Sequence, residues 1–309
     1  MKLKRNICVP AYKLEELKFT DLKEFDRSRT LFTISISPLE EHGPHLPIGV
    51  DLFNAQFFTD AVSQKFLEKY SDWNVIQMPS FPIGSFAFDA PGTLIVRPKI
   101  IRELMIDCLS SMAKYGFKYF LISNAHGGPT HIVALEEAAQ VISKRYGARV
   151  LSFTGHIAWE FLTGKYWPQI QEHLNLTNEE AEALKEDAHG GQWETSMMLK
   201  LRPDLVGDCY RSLKPFTVQM LQKLRPNYPL KMEGGTGYVG HPAKASKELA
   251  DASSDFLVDK VFEMVEHHIF SEKAPSPSLF YRLAIFRVGF VGMLLVVALL
   301  VIILLLILR

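Results

Sequence analysis

Cysteine is scarce in this chain: Cys8, Cys108 and Cys209 are the only three in 309 residues, and no two are close in sequence. An odd, dispersed set offers no disulfide framework and no CxxC motif, which points to a reducing compartment. An excess of charge is also lacking. Lys+Arg and Asp+Glu both number 34, so the balance gives no reason to propose a nucleic acid as partner. The first nineteen residues, MKLKRNICVPAYKLEELKF, are basic but contain no apolar h-region. No secretory signal is therefore expected. Internal repeats are missing as well.

What is abundant is apolar. Hydrophobic residues make up 48% of the chain, enough for a sizeable core. Residues 288–308, VGFVGMLLVVALLVIILLLIL, hold no charged or strongly polar side chain. That matches the roughly 20 residues needed to cross a bilayer, and a soluble helix would keep a polar face. One C-terminal transmembrane helix is expected. Lys273, Arg282 and Arg287 precede it and only Arg309 follows. The positive-inside rule then leaves the large domain in the cytoplasm. Phe280, Tyr281, Phe286 and Phe290 stand where an interfacial aromatic belt would be. The expected organisation is a domain over 1–270, a linker over 271–282 beginning with the Pro/Ser-rich SEKAPSPS, and an anchor over 283–309.

Within the domain, β-rich runs alternate with stretches of helical period. Strands are expected at 31–37, 75–78, 93–96, 118–123 and 149–154. Helices are expected at 52–70, 99–116, 129–147, 192–201 and about 243–269. Pro129 opens the third of these helices and Gly147 closes it. This alternation predicts an α/β fold, a mostly parallel sheet with helices on both faces. Sites in such sheets form beyond the carboxyl ends of strands.

Three segments could carry chemistry. The first is SPLEEHGPHLPIGVD, residues 37–51, which gathers Glu40, Glu41, His42, His45 and Asp51 on a loop stiffened by three prolines. Glu40 and His42 are two apart, so in extended chain they point the same way and Glu41 points away. Carboxylate and imidazole are ligands that Zn, Mn and Fe accept. The plain alternatives are a solvated Glu40, an ordinary loop His42 and Asp51 capping the next helix. Their combination on so rigid a loop favours metal. The second is NAHGG, residues 124–128, where His126 sits between a strand and a helix start and the glycines admit close approach. The third is DAHGGQWETSMM, residues 187–198. Glu194 shares a helix face with Met197, Met198 and Leu201. A buried carboxylate wants a cation, a metal or a proton. His189 is a candidate general acid/base. Of the remaining histidines, His45 and His131 are expected to line the pocket and His156 and His241 to contact substrate. His173, His267 and His268 are expected at the surface.

EEHGPHLPIGVD at 40–51, NAHGG at 124–128 and DAHGGQWETS at 187–196, in this order, resemble the creatininase (creatinine amidohydrolase) family. PGT at 91–93 and GYVGHPAKAS at 237–246 add weaker support, and the likeness spans residues 30 to 265. It implies a three-layer α/β/α domain and a homo-oligomer, often a hexamer. It also implies a dinuclear centre of two divalent ions (Zn, Mn or Fe) that hydrolyses non-peptide C–N bonds. Carried over, Glu40 and His126 would hold one metal, His42 the other, and Asp51 would bridge them. His189 matches the catalytic histidine. Creatininases proper place a glutamate where this chain has Gly128, which argues against creatinine as substrate and leaves Glu194 or water to complete the second site. The family's Glu-His pair before Pro-Gly-Thr is also missing from GSFAFDAPGT, residues 84–93. The expected activity is metal-dependent hydrolysis of a small-molecule amide, a cyclic amide or a formamide. One alternative is an inactive membrane-tethered binding protein of the same fold. Another is phosphoester hydrolysis, which the lack of a phosphate-cradling loop disfavours.

Overall fold

The computed structural model describes residues 11–163, 165–219, 227–271 and 276–289, with 294 and 298. Its strands are β1 (Tyr12–Lys13), β2 (Thr30–Ser35), β3 (Asn74–Gln77), β4 (Tyr119–Ser123) and β5 (Arg149–Ser152). They form one sheet in the order β1-β3-β2-β4-β5, parallel throughout. The helices are α1 (Asp21–Glu24), α2 (Val50–Lys69), α3 (Pro98–Ala113), α4 (Pro129–Tyr146), α5 (Thr154–Leu162), α6 (Trp167–His173), α7 (Asn178–Lys185), α8 (Gln192–Leu201), α9 (Tyr228–Lys231), α10 (Lys247–Phe270) and α11 (Leu279–Arg282).

The period of two along each strand explains the layers. Phe32 and Ile34 of β2, Ile76 of β3, Phe120 and Ile122 of β4 and Val150 of β5 pack against Ile101, Met105 and Leu109 of α3 and Leu135 and Ala138 of α4. Their neighbours Leu31, Val75, Leu121 and Leu151 face the other way, against Phe58, Val62 and Phe66 of α2 and Leu257, Val261 and Val265 of α10. The result is helix–sheet–helix. Near the site the α2 face of the sheet turns small and polar. The Ser35 hydroxyl meets the Thr59 hydroxyl at 2.7 Å, and the Ser123 hydroxyl donates to the carbonyl of Ala55 at 2.8 Å. These short side chains bring the first turns of α2 close to the strand ends.

The chain runs from β2 outward to β3 and then returns across β2 to β4. That reversal opens a crevice beyond the carboxyl ends of β2 and β4. The loops that follow those two strands are the first two motif segments. The Ser37 hydroxyl ties them by donating to Asn124 Oδ1 at 2.8 Å and accepting from the Ala125 amide at 3.0 Å.

Several expectations shift. Residues 93–96 form no strand: only an isolated bridge joins Ile95 to Gly84. Pro91 and Gly92 before it and Pro98 after it leave too short a run, and Leu94 and Ile95 are exposed. The last strand ends at Ser152 because Thr154 already opens α5. His268 is buried, not at the surface, and neither ring nitrogen has a hydrogen-bond partner among the described residues. Burial pushes its pKa down to about 4. Among the described residues no helix is long and apolar enough to cross a membrane. Most of the run expected to span, 288–308, lies outside the described residues.

The described part of the expected linker is packed. Helix α11 lies on α4 and α5, with Phe280 buried against Ile132 and Val133. The Glu136 carboxylate of α4 accepts the Ser278 amide at 3.1 Å. Burial lifts the Glu136 pKa from 4.5 to about 7, against the Ser278 hydrogen bonds that lower it. Its contribution to stability is fully present below pH 4.5 and is lost as pH rises through about 7. Relative to a Glu136→Gln variant, wild-type stability should therefore fall over that range by on the order of 1–3 kcal/mol. Urea denaturation at several pH values checks it, and parallel curves for the two proteins would contradict it.

Candidate metal centre

The first motif loop is fixed at both ends. The Glu40 amide donates to the Ile48 carbonyl at 2.8 Å, closing the loop on itself, and Asp51 falls in the first turn of α2. Glu40, His42 and Asp51 are all buried to within 1% of full exclusion from solvent. Glu40 Oε1 accepts the Phe88 amide at 2.5 Å, while its Oε2 has no hydrogen-bond partner. His42 Nδ1–H donates to the Glu40 carbonyl at 3.0 Å. The other nitrogen, Nε2, then faces Asp51 Oδ1 at 3.4 Å and Glu194 Oε2 at 3.6 Å.

His126 repeats this arrangement from the opposite loop. Its Nε2–H donates to the Ser85 carbonyl at 3.1 Å. Its Nδ1 faces Glu40 Oε2 at 3.0 Å and Asp51 Oδ2 at 3.3 Å. In both histidines one ring nitrogen is committed to a backbone carbonyl and the other is aimed at carboxylates. That is how ligating histidines are held.

Three sets of ligand atoms each lie within 4.8 Å of one another: Glu40/Asp51/His126, His42/Asp51/Glu194 and Glu40/His42/His189. The first two share Asp51. Where the facing imidazole nitrogens carry no proton, Glu40 Oε2, His42 Nε2 and Asp51 Oδ2 are buried without hydrogen-bond partners. An orphaned, buried donor set of this chemistry fits a divalent cation.

The electrostatics agree with the geometry. Burial pushes the pKa of His42 down, but Glu194 and Asp51 outweigh it and hold the ring well above the usual imidazole range. His126 is likewise lifted to about 10, where Glu40 and Asp51 overcome the effect of burial. Burial pushes Asp51 up, yet His42 and His126 leave it well below the usual carboxylate range. Glu194 is lowered too, chiefly by His42 against its own burial. The pocket is strongly negative, and without a cation protons on the histidines compensate.

The third motif supplies Glu194 and His189. Asp187 caps α8 with both oxygens, accepting the Gln192 and Trp193 amides at 2.7 Å each. Burial pushes its pKa up to about 7 against those bonds. The cap holds Glu194 in the first turn of α8, where its Oε2 also accepts the Gly190 amide at 2.5 Å. His189 Nε2–H donates to the Glu41 carbonyl at 2.6 Å. Its ring lies 4.1 Å from that of His42 and edge-to-face with Phe88 at 4.7 Å. Burial and His42 lower its pKa, but Glu40, Glu41 and Glu194 leave it raised.

The structure thus brings all six candidates, Glu40, His42, Asp51, His126, Glu194 and His189, into one cluster. Two residues escaped the sequence reading. Glu41 turns inward and places Oε1 3.7 Å from His189 Nε2. Its position was hidden because extended alternation points it away. Asp187 carries no signal of its capping role within its own motif. A signal for both lay in 234–240, GGTGYVG. A Cβ on Gly237 would stand 2.2 Å from Glu41 Oε2, and one on Gly240 1.8 Å from Asp187 Oδ1.

The other histidines stand outside the candidate ligand sets. His45 Nε2 bonds the Thr195 hydroxyl at 2.9 Å, and burial lowers its pKa to about 4. His131 accepts the Ser85 amide at 3.3 Å and is pushed by burial to about 3. His241 pairs with Glu186 at 2.7 Å, and His156 lies on α5.

With this geometry in view, comparisons with known proteins identify the family. The creatininase profile, described as creatinine amidohydrolase, matches residues 15–265. The chain belongs to the creatininase family, a family of amidohydrolases. No curated protein sequence matches it. A chain from Bacteroides fragilis NCTC 9343, provisionally called a creatinine amidohydrolase, superposes with a TM-score of 0.62 at 19% identity, covering 85% of this chain and 98% of that one. A structure named Creatininase Mn gives 0.62 at 18%, covering 84% and 99%. A mutant creatininase of Zn-Zn type gives 0.61 at 18%, covering 85% and 100%. At these identities the likeness shows the fold.

Gly240 carries a prediction. It has φ +130°, and a Cβ there would displace the Asp187 cap. Gly240→Ala should destabilise the protein by about 2 kcal/mol or more. Urea denaturation measures this, and stability equal to wild type would refute the packing described for Asp187.

Proposed function

We propose that this chain is a metal-dependent hydrolase of a non-peptide amide, acting through a dinuclear centre. The observation that carries the reading is the pair of three-ligand sets sharing Asp51, with Glu40 Oε2, His42 Nε2 and Asp51 Oδ2 left unpartnered. Glu40 and His126 would hold one ion, His42 and Glu194 the other, and Asp51 would bridge. Divalent ions bound there supply the charge that makes a water nucleophilic near neutral pH and polarises an amide carbonyl. Nitrogen and oxygen donors suit Zn, Mn or Fe, and the related structures include Mn and Zn-Zn forms.

The chain's own residues do the rest. Glu41 and Phe88 hold the His189 ring beside the ligands of both sets. From there His189 donates a hydrogen bond to the developing oxyanion or a proton to the departing nitrogen. Gly128 supports a substrate other than creatinine. A Cβ there would lie 2.3 Å from His126 Nε2, so a glutamate cannot stand at that position without moving the histidine. Glu194, 3.6 Å from His42, takes up the vacant role.

We also propose, from the apolar run 288–308 and the basic residues before it, a domain on the cytoplasmic side of a membrane with an anchor over 283–309, and, from the family resemblance, a homo-oligomer. One related structure is a creatininase complexed with creatine, and this chain's ligand is likewise read as a small molecule with an amide. The clustering of Glu40, His42, Asp51, His126 and Glu194 favours this reading over a non-catalytic binding role.

Two variants test the mechanism. The full chain in lipid nanodiscs, reconstituted with Zn or Mn, should bind two ions per chain by elemental analysis. His42→Ala should lose one or both and reduce turnover at least a hundredfold. Full activity there would sink the mechanism. His189→Ala should keep both ions while kcat drops about 10²–10⁴-fold. Loss of metal in that variant would instead make His189 a ligand.

A further inference from the structure

A cavity of about 500 Å³ opens beside the candidate centre, with His189 and Glu194 in its wall. Its volume falls within the range of about 300–1,000 Å³ typical of sites for whole organic ligands. Most of the wall is hydrocarbon: Phe153, Ile157, Phe161, Phe256 and Val261, from the end of β5, α5 and α10, and Trp193 from α8. The indole N–H of Trp193 donates to the Ser253 hydroxyl at 3.1 Å, which leaves the ring to present an apolar surface. The polar members gather where the wall meets the site loops, at Asn124, Asp187, His189 and Glu194. Lys185 stands exposed at the rim, paired with Glu182 at 2.6 Å. A small polar ring such as creatinine would leave nearly all of this apolar wall uncovered.

We infer that the cavity holds an apolar arm of the substrate, so that the amide cleaved here carries a long or bulky hydrocarbon group. The inference rests on the amidohydrolase reading and adds the class of substrate. Phe280 of α11 is part of the same wall, and the apolar run begins at Val288, eight positions further on. The cavity therefore adjoins the segment that enters the proposed membrane anchor, the side from which an amphipathic amide would arrive. The reaction balances as simple hydrolysis. The water oxygen bonds to the carbonyl carbon, the C–N bond breaks with its electron pair on nitrogen, and nitrogen takes a proton. A carboxylic acid and an amine leave, one bearing the apolar arm.

Two homologous series test this on the metal-loaded full chain in nanodiscs. One is 4-nitroanilides of acids with two to ten carbons. The other is formamides of amines with two to ten carbons. Together they place the arm on either side of the bond. Within one series kcat/KM, corrected for partition into lipid, should rise roughly tenfold for every two methylenes buried. Ala158→Phe, which fills the cavity from α5, should flatten that slope. If this variant has no cooperative thermal transition, Ile157→Phe serves the same end. In parallel, 10-bromodecanamide should quench tryptophan fluorescence saturably through Trp193, a readout that needs no turnover. Flat dependence in both series without saturable quenching overturns the inference and leaves the hydrolase standing. Saturable quenching that the filling variant abolishes, with no hydrolysis at any length, supports the apolar ligand and sinks the hydrolase reading instead.

Discussion

Glu40, Asp51 and Glu194 crowd three carboxylates into a volume almost closed to water. Each charge costs several kcal/mol to bury unpaired, so positive charge must be supplied at their centre. His42 and His126 supply some of it when protonated, as their raised pKa values record. Yet their geometry suits another role. Each gives an N–H to a backbone carbonyl and turns the remaining nitrogen toward the carboxylates. A cation bound between them satisfies carboxylate and imidazole together, and a proton satisfies only one contact at a time. The rest of the domain follows from holding these five side chains fixed.

That demand is met by backbone rather than by more side chains. Gly190, at φ +55°, passes so close to His42 that a Cβ would stand 2.6 Å from its carbonyl oxygen. Gly240 makes room for the cap that Asp187 places on α8. Val239 pairs with His189 in both directions, its amide donating at 2.6 Å and its carbonyl accepting at 3.3 Å. Segments 187–194 and 237–240, far apart in sequence, thus act as one clamp on His189. The β2 and β4 loops form the other half, joined through Ser37.

Much of this was legible in the sequence, for a physical reason. A two-residue spacing on an extended loop, with prolines on either side, leaves Glu40 and His42 few ways not to converge. Layering was legible because β2, β3, β4 and β5 alternate between two buried faces. What escaped depended on tertiary contact. Tyr12–Lys13 is a strand only because β3 lies beside it, and both its residues are exposed. Helices α5 to α7 lack a long continuous apolar period. Glu41 is turned inward by Gly43 and Gly237, and its Oε2 accepts the Gly43 amide at 3.0 Å. His268 was misread because the charged neighbours of 263–268 gave no hint that one face of α10 stays buried to its end.

The two halves of the site record different information. Metal ligands must hold polar atoms in place to within fractions of an ångström, so on the proposed reading few residue types can stand at those positions. The wall beside them has only to be apolar and of the right volume, conditions that many side chains satisfy. The proposed reaction type therefore rests on Glu40, His42, Asp51, His126 and Glu194, which do not name the substrate. On the proposed reading it would be set by positions such as Gly128, where a side chain would collide with His126, and by Phe161, Trp193 and Phe256 in the wall. On the proposed reading, both features favour a larger, less polar amide over a small polar ring.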